Sequence, residues 1–206
     1  TGATTSAGGA LSANAQGALI NDRGHLSSQG ATAITAGSLS NQNGQIVSQS
    51  TLSANVTGAL ANQGGTLQAA GALNANAGSL DNTAGHIASL NTDGLNLTTT
   101  GRLNNAQGGT IGGNGNVTVQ AGQLSNASTI SAVQNLGVST AQTLTNAGGT
   151  IASGQRTNVS AATLDNSAGT LTGNQLALAA ANLINRNGSI TQSGTGPITI
   201  GVSGTL

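Results

Sequence analysis

Asp81 and His86 stand five residues apart in the stretch Gly-Ser-Leu-Asp-Asn-Thr-Ala-Gly-His-Ile at 78–87. A carboxylate and an imidazole are the smallest set that can run acid–base chemistry. The other groups that could assist are few: the carboxylates Asp22, Asp93 and Asp165, and the imidazole of His25. Lys, Glu, Tyr and Cys are absent, so the stock of general bases and nucleophiles is nearly empty. Serine is plentiful, but none stands in a pattern that supplies an activating base. Whether Asp81 and His86 form a site depends on the elements that carry them.

The composition narrows those elements. Of 206 residues, 4 % are charged and none is aromatic, and four Arg balance four Asp to a net charge of zero. A phosphate footprint needs clustered Lys or Arg, so nucleic-acid binding is excluded as a reading. Arg23, Arg102, Arg156 and Arg186 are dispersed and form no patch. Without Cys there is neither a disulfide framework nor a thiolate metal site. No apolar run approaches the ~18 residues of a membrane span, so membrane insertion is not expected. No cofactor motif is present.

The stretch around Asp81 recurs along the chain. Leu-x-Asn occurs at Leu19/Asn21, Leu39/Asn41, Leu60/Asn62, Leu80/Asn82, Leu103/Asn105, Leu124/Asn126, Leu144/Asn146, Leu164/Asn166 and Leu183/Asn185. Leu19 to Leu183 spans 164 residues in eight intervals, a mean of 20.5. Four to six residues after each Asn comes an apolar anchor, usually preceded by Gly-x: Gly24/Leu26, Gly44/Ile46, Gly65/Leu67, Gly85/Ile87, Gly109/Ile111, Gly149/Ile151, Gly169/Leu171 and Gly188/Ile190. The sixth repeat departs, with Ser128 before Ile130 and a shorter corner. A third segment alternates with period two, as in Leu52-Ser-Ala-Asn-Val56 and Val117-Thr-Val-Gln-Ala121. Alternation with β-branched residues predicts strands with one buried face.

About three short strands per 20-residue unit cannot bury an apolar face alone, but stacked units can. The predicted fold is therefore all-β: a single-stranded parallel β-helix of roughly ten coils covering residues 1–206. The Asn two residues after each inward Leu enters a corner, where stacked amides can run a ladder along the axis. The expected ladder is Asn21, Asn41, Asn62, Asn82, Asn105, Asn126, Asn146, Asn166 and Asn185. The Gly three residues later suits a corner with positive φ. The repeats begin and end mid-unit, which predicts a segment of a longer chain with bare coil edges at both ends.

The pattern Leu-x-Asn-x-x-Gly-x-[Ile/Leu]-x-Ser, followed by alternating apolar residues, resembles the haemagglutinin repeats of filamentous-haemagglutinin-like exoproteins over residues 9–206. Those are large adhesins and contact-dependent inhibition effectors of Gram-negative bacteria. The resemblance implies a right-handed β-helical shaft exported through an outer-membrane two-partner-secretion transporter. It implies an extracellular or cell-surface location, with a host-cell or bacterial receptor or glycan as the candidate partner. In that reading the shaft is non-enzymatic, holds distal domains away from the cell and is a candidate contributor to cell adhesion. Its alternatives are the stalk of a contact-dependent inhibition effector and a carbohydrate-binding or carbohydrate-active β-helix.

Within this frame Asp81 and His86 fall on outward positions, expected to be solvated. Asp165 shares the position of Asp81 four units away, and His25 shares that of His86 three units away. At ~4.8 Å per coil these pairs lie roughly 19 and 14 Å apart, beyond a glycosidase carboxylate pair or a shared metal. Catalytic, cofactor and metal sites are therefore read as none. Asp93, in Asn-Thr-Asp-Gly, offers a single carboxylate and no calcium loop. Asn-x-Ser/Thr sequons occur at Asn55, Asn96, Asn116, Asn126, Asn158 and Asn187, and the resemblance extends to relatives glycosylated on such sequons. An ice-binding solenoid would need Thr ranks on one face, and the run Thr98–Thr100 does not repeat from coil to coil.

Overall fold

In the computed structural model, which describes residues 2–206, the chain winds into an all-β parallel solenoid. It has about nine turns of roughly 21 residues and, among the described residues, no helix. One turn shows how the sequence dictates the path. The strand Ser79–Asp81 carries Leu80 inward and ends at Asn82. A tight corner over 82–85 leads into His86–Ser89, which carries Ile87 inward. A wider corner over 90–94 then leads into Leu95–Thr99, whose period-two pattern buries Leu95, Leu97 and Thr99.

Each strand pairs in parallel with its equivalents on neighbouring turns, so Leu60, Leu80 and Leu103 sit side by side, as do Leu67, Ile87 and Ile111. The strands that carry the apolar anchor as their second residue, together with Thr4–Ala7, form a ten-stranded sheet running from Thr4–Ala7 to Ser189–Gln192. The other two strand sets belong to a fifteen-stranded sheet. They fuse in Leu11–Ile20, Thr32–Ser40, Arg156–Asp165 and Gln175–Ile184. The prediction of three separate strands per coil fails there. Between Arg156–Asp165 and Gln175–Ile184 the pairing keeps one register and skips only the Ala162/Ala181 position.

The core is a narrow column of Leu, Ile, Val and Ala. Leu52, Leu67, Leu95, Ile111, Leu144 and Leu171 have no exposed surface. Fully burying each such side chain contributes about 1.5–3 kcal/mol, and the contacts lie almost wholly between adjacent turns. At ~4.8 Å per turn the shaft is on the order of 45 Å long.

Candidate functional site

The nine Leu-x-Asn asparagines come together in one internal line. Asn21 Nδ2 donates to Asn41 Oδ1, and the pattern continues through Asn62, Asn82, Asn105, Asn126, Asn146 and Asn166 to Asn185. All eight links measure 2.7–2.8 Å. From Asn41 to Asn166 these residues are at most 1 % exposed. The second hydrogen of each Nδ2 turns to main-chain carbonyls, those of Gly85 and Thr110 for Asn82, each at 3.1 Å. A carbonyl can only accept, so it fixes the nitrogen end of the amide and the sense of the chain: each side chain donates toward the C-terminal side. Every donor and acceptor in a dry column is thereby occupied, which is the condition for burying an amide without penalty.

Seven of the nine corners are closed by the glycine N–H donating to the Asn carbonyl, as in Gly24 to Asn21 (2.9 Å) and Gly85 to Asn82 (3.0 Å), while at the Asn105 corner Gly109 donates to Ala106 (3.0 Å). The glycine's role differs from the sequence expectation. Positive φ falls one residue earlier, at Arg23, Asn43, Gly64, Ala84, Gly148, Ala168 and Asn187. The glycine is required by space. A Cβ on Gly85 would collide with the Asn62 carbonyl of the preceding turn and with Asn82 Oδ1. Gly44, Gly65, Gly109, Gly149, Gly169 and Gly188 are confined in the same way. The Asn105 corner holds one more residue, with positive φ at Gln107 and Gly108. The short Asn126 corner has no glycine, yet the amide line passes through it unbroken.

Asp81 is less solvated than its outward position suggests. Its carboxylate accepts from Thr83 Oγ1 (2.6 Å), Thr83 N (3.0 Å), Gln63 Nε2 (2.9 Å) and Asn104 Nδ2 (3.1 Å). Partial burial pushes the carboxyl pKa up, but the hydrogen bonds from Thr83, Asn104 and Gln63 outweigh it and hold the group below its ordinary value. Asp22 accepts from Ser40 Oγ and Gln42 N, and Asp165 from Ser167 N. These carboxylates brace corners. His86 is exposed, with Nδ1 against the Thr110 hydroxyl. Strand register puts His25 three turns from His86, through Gln45 and Thr66. Asp165 lies four turns from Asp81, through Asn104, Ser125 and Thr145. Neither the two carboxylates nor the two imidazoles are therefore brought together, and Asp81 and His86, at either end of one corner, are bonded to other residues.

Sequence reasoning missed a second set of buried polar side chains, at the wide corner. Ser28, Ser48 and Ser89 are at most 2 % exposed. Their hydroxyls bond corner carbonyls: Ser28 to Gly30 (2.6 Å), Ser48 to Thr51 (2.8 Å) and Ser89 to Gly71 (2.8 Å). The signal was the Ser two residues after the apolar anchor. Among the sequons, Asn126 is closed to modification in the folded chain, since its amide is buried in the line.

The family model for the haemagglutinin repeat matches residues 1–55, 41–107, 94–148 and 110–199. Neither the curated proteins nor the solved structures provide a match. The matched spans cover nearly the whole solenoid, with its recurring Leu-x-Asn corners and parallel turns. This chain belongs to the filamentous haemagglutinin repeat family, a repeat β-helix typical of large secreted, adhesin-like proteins and generally structural rather than catalytic.

Proposed function

We propose that the chain is a passive shaft within a large exported surface protein, setting the distance between the cell and a distal domain. The observation that carries this reading is the uninterrupted Asn21–Asn185 amide line beside a continuous aliphatic column. Each turn is held by the next in the same way, so each added turn adds length. The asparagines are structural residues in this account, and the outward Ser, Thr, Asn and Gln form a hydrated coat. Export through an outer-membrane two-partner-secretion transporter and an extracellular location follow from family membership as part of the proposal.

The test is to display the folded 206-residue chain on beads and measure retention of host epithelial cells and of bacteria. A passive shaft gives retention no greater than that of blank beads. Saturable retention, competed by free chain, would instead make the shaft itself adhesive.

A further inference from the structure

The ten-stranded sheet carries two outward files that a spacer does not need. Register aligns Thr110, Thr129, Thr150, Thr170 and Ser189 on successive turns. Two residues along the same strands it aligns Gly112, Ser131, Ala152, Thr172 and Thr191. Eight of these ten positions carry a hydroxyl, and the other two are Gly and Ala. The run Thr98–Thr100 does not stack in this way, since Thr98 lies against Gln120. The hydroxyl file is assembled by register across turns, and unequal unit lengths hide it in the sequence.

Three features of this face bear on what it could bind. First, it is free of charge: segments 108–115, 127–134, 147–155, 167–175 and 187–195 contain no Asp or Arg. Second, it is regular. The turns pair here without a register shift, at ~4.8 Å along the axis and roughly 6.7 Å between files, and β-branched Thr has few rotamers to lose. Third, its central hydroxyls are uncommitted. Gln63 Oε1 is the one buried side-chain polar atom without a partner among the described residues. The hydroxyls of Thr129, Thr150, Thr170, Ser131 and Thr172, which no protein group engages, therefore open to solvent. Elsewhere the surface amides pair with each other instead, Asn55 with Asn76 at 2.9 Å, Asn74 with Asn96 at 3.0 Å, and Gln123 with Gln142.

We propose that this face binds ice. Its Thr hydroxyls and methyls form a fixed lattice whose axial repeat is comparable to that of water oxygens in the hexagonal crystal. Water ranked against such a lattice can join a growing ice surface with little further ordering. The alternative ligand for a flat hydroxylated face, a neutral crystalline polysaccharide, fits less well, because the chain has no aromatic ring to stack on a sugar face. Ions are disfavoured by the absence of charge.

The experiment is an ice-recrystallisation assay on the purified chain. It is run beside Thr129→Lys/Thr150→Lys on this face and Gln120→Lys/Ser139→Lys on another, with circular dichroism reporting the fold of each. Thr129→Lys alone replaces the pair if the pair does not fold. The proposal expects wild type and the Gln120/Ser139 variant to keep ice grains small, and the Thr variant to let them coarsen as in buffer. Coarsening with wild type overturns it, as does full activity in a folded Thr variant. So does retention on crystalline cellulose or chitin, lost in the Thr variant, without an effect on ice.

Discussion

Asn82 shows what one residue must do in a column this narrow. Its Oδ1 accepts from Asn62, and its Nδ2 donates to Asn105 and to main-chain carbonyls, while no part of it reaches water. Beside it, Gly85 is fixed by space and Ala84 by backbone conformation. These two neighbours respond to substitution in opposite directions. Gly85→Ala drives a methyl into the Asn62 carbonyl and is expected to destabilise by about 3 kcal/mol. Ala84 holds φ at 54°, which disfavours a Cβ by roughly 1–2 kcal/mol. Ala84→Gly removes that strain but frees the unfolded chain, so a net gain of up to about 1 kcal/mol is expected. Thermal melts of the two variants check both signs. The wrong role for Gly85 in the sequence reading has a physical origin: the carbonyl it avoids lies on Asn62, one turn back, and local turn rules do not contain it.

The elements formed by such residues are lines rather than local motifs. Replacing Asn82 and Asn105 together by Ala cuts the amide line, orphaning the Asn62 amide hydrogen and the Asn126 amide oxygen in a dry environment. At about 1–3 kcal/mol for each orphaned group, plus the lost carbonyl bonds, the pair is expected to cost roughly 3–6 kcal/mol. For a chain of this size that lowers Tm by about 10 °C or more. An unchanged Tm would remove the line from the account of stability. The Asp81 corner predicts a pH response. A carboxyl held below its unfolded value of 3.8 contributes stability fully above that pH, and the contribution is lost as pH falls through the lower folded value. Acid melts of wild type against Asp81→Asn should therefore differ above pH 4 and converge in stronger acid. The asparagine line was legible because each Asn follows an inward Leu at a fixed offset, within one unit. The Asp81 bonds to Gln63 and Asn104 and the hydroxyl file were not, because both depend on which residues meet across units of 19 to 23 residues.

At the scale of the molecule, the parallel fold and its aliphatic core followed from one repeated unit length, and the matches to the haemagglutinin repeat extend over the same residues. Strand boundaries followed less well. The fused strands Arg156–Asp165 and Gln175–Ile184 reflect pairing to neighbouring turns, which outweighs the corner signals of their own sequence. Because almost every contact is between adjacent turns, stability is close to a sum over turns and their interfaces. A turn removed in register should leave the rest standing.

That expectation sets the most direct measurement: the axial length, by small-angle X-ray scattering, of the chain with residues 62–81 deleted and Ala61 joined to Asn82. The deletion takes out one 20-residue period and leaves Asn41 facing Asn82 where it had faced Asn62. A shaft of interchangeable turns predicts a folded rod of the same cross-section, shorter by one spacing of about 4.8 Å. An unfolded or aggregated product, or a rod of altered cross-section, would contradict it, because the turns would then not be equivalent units of length.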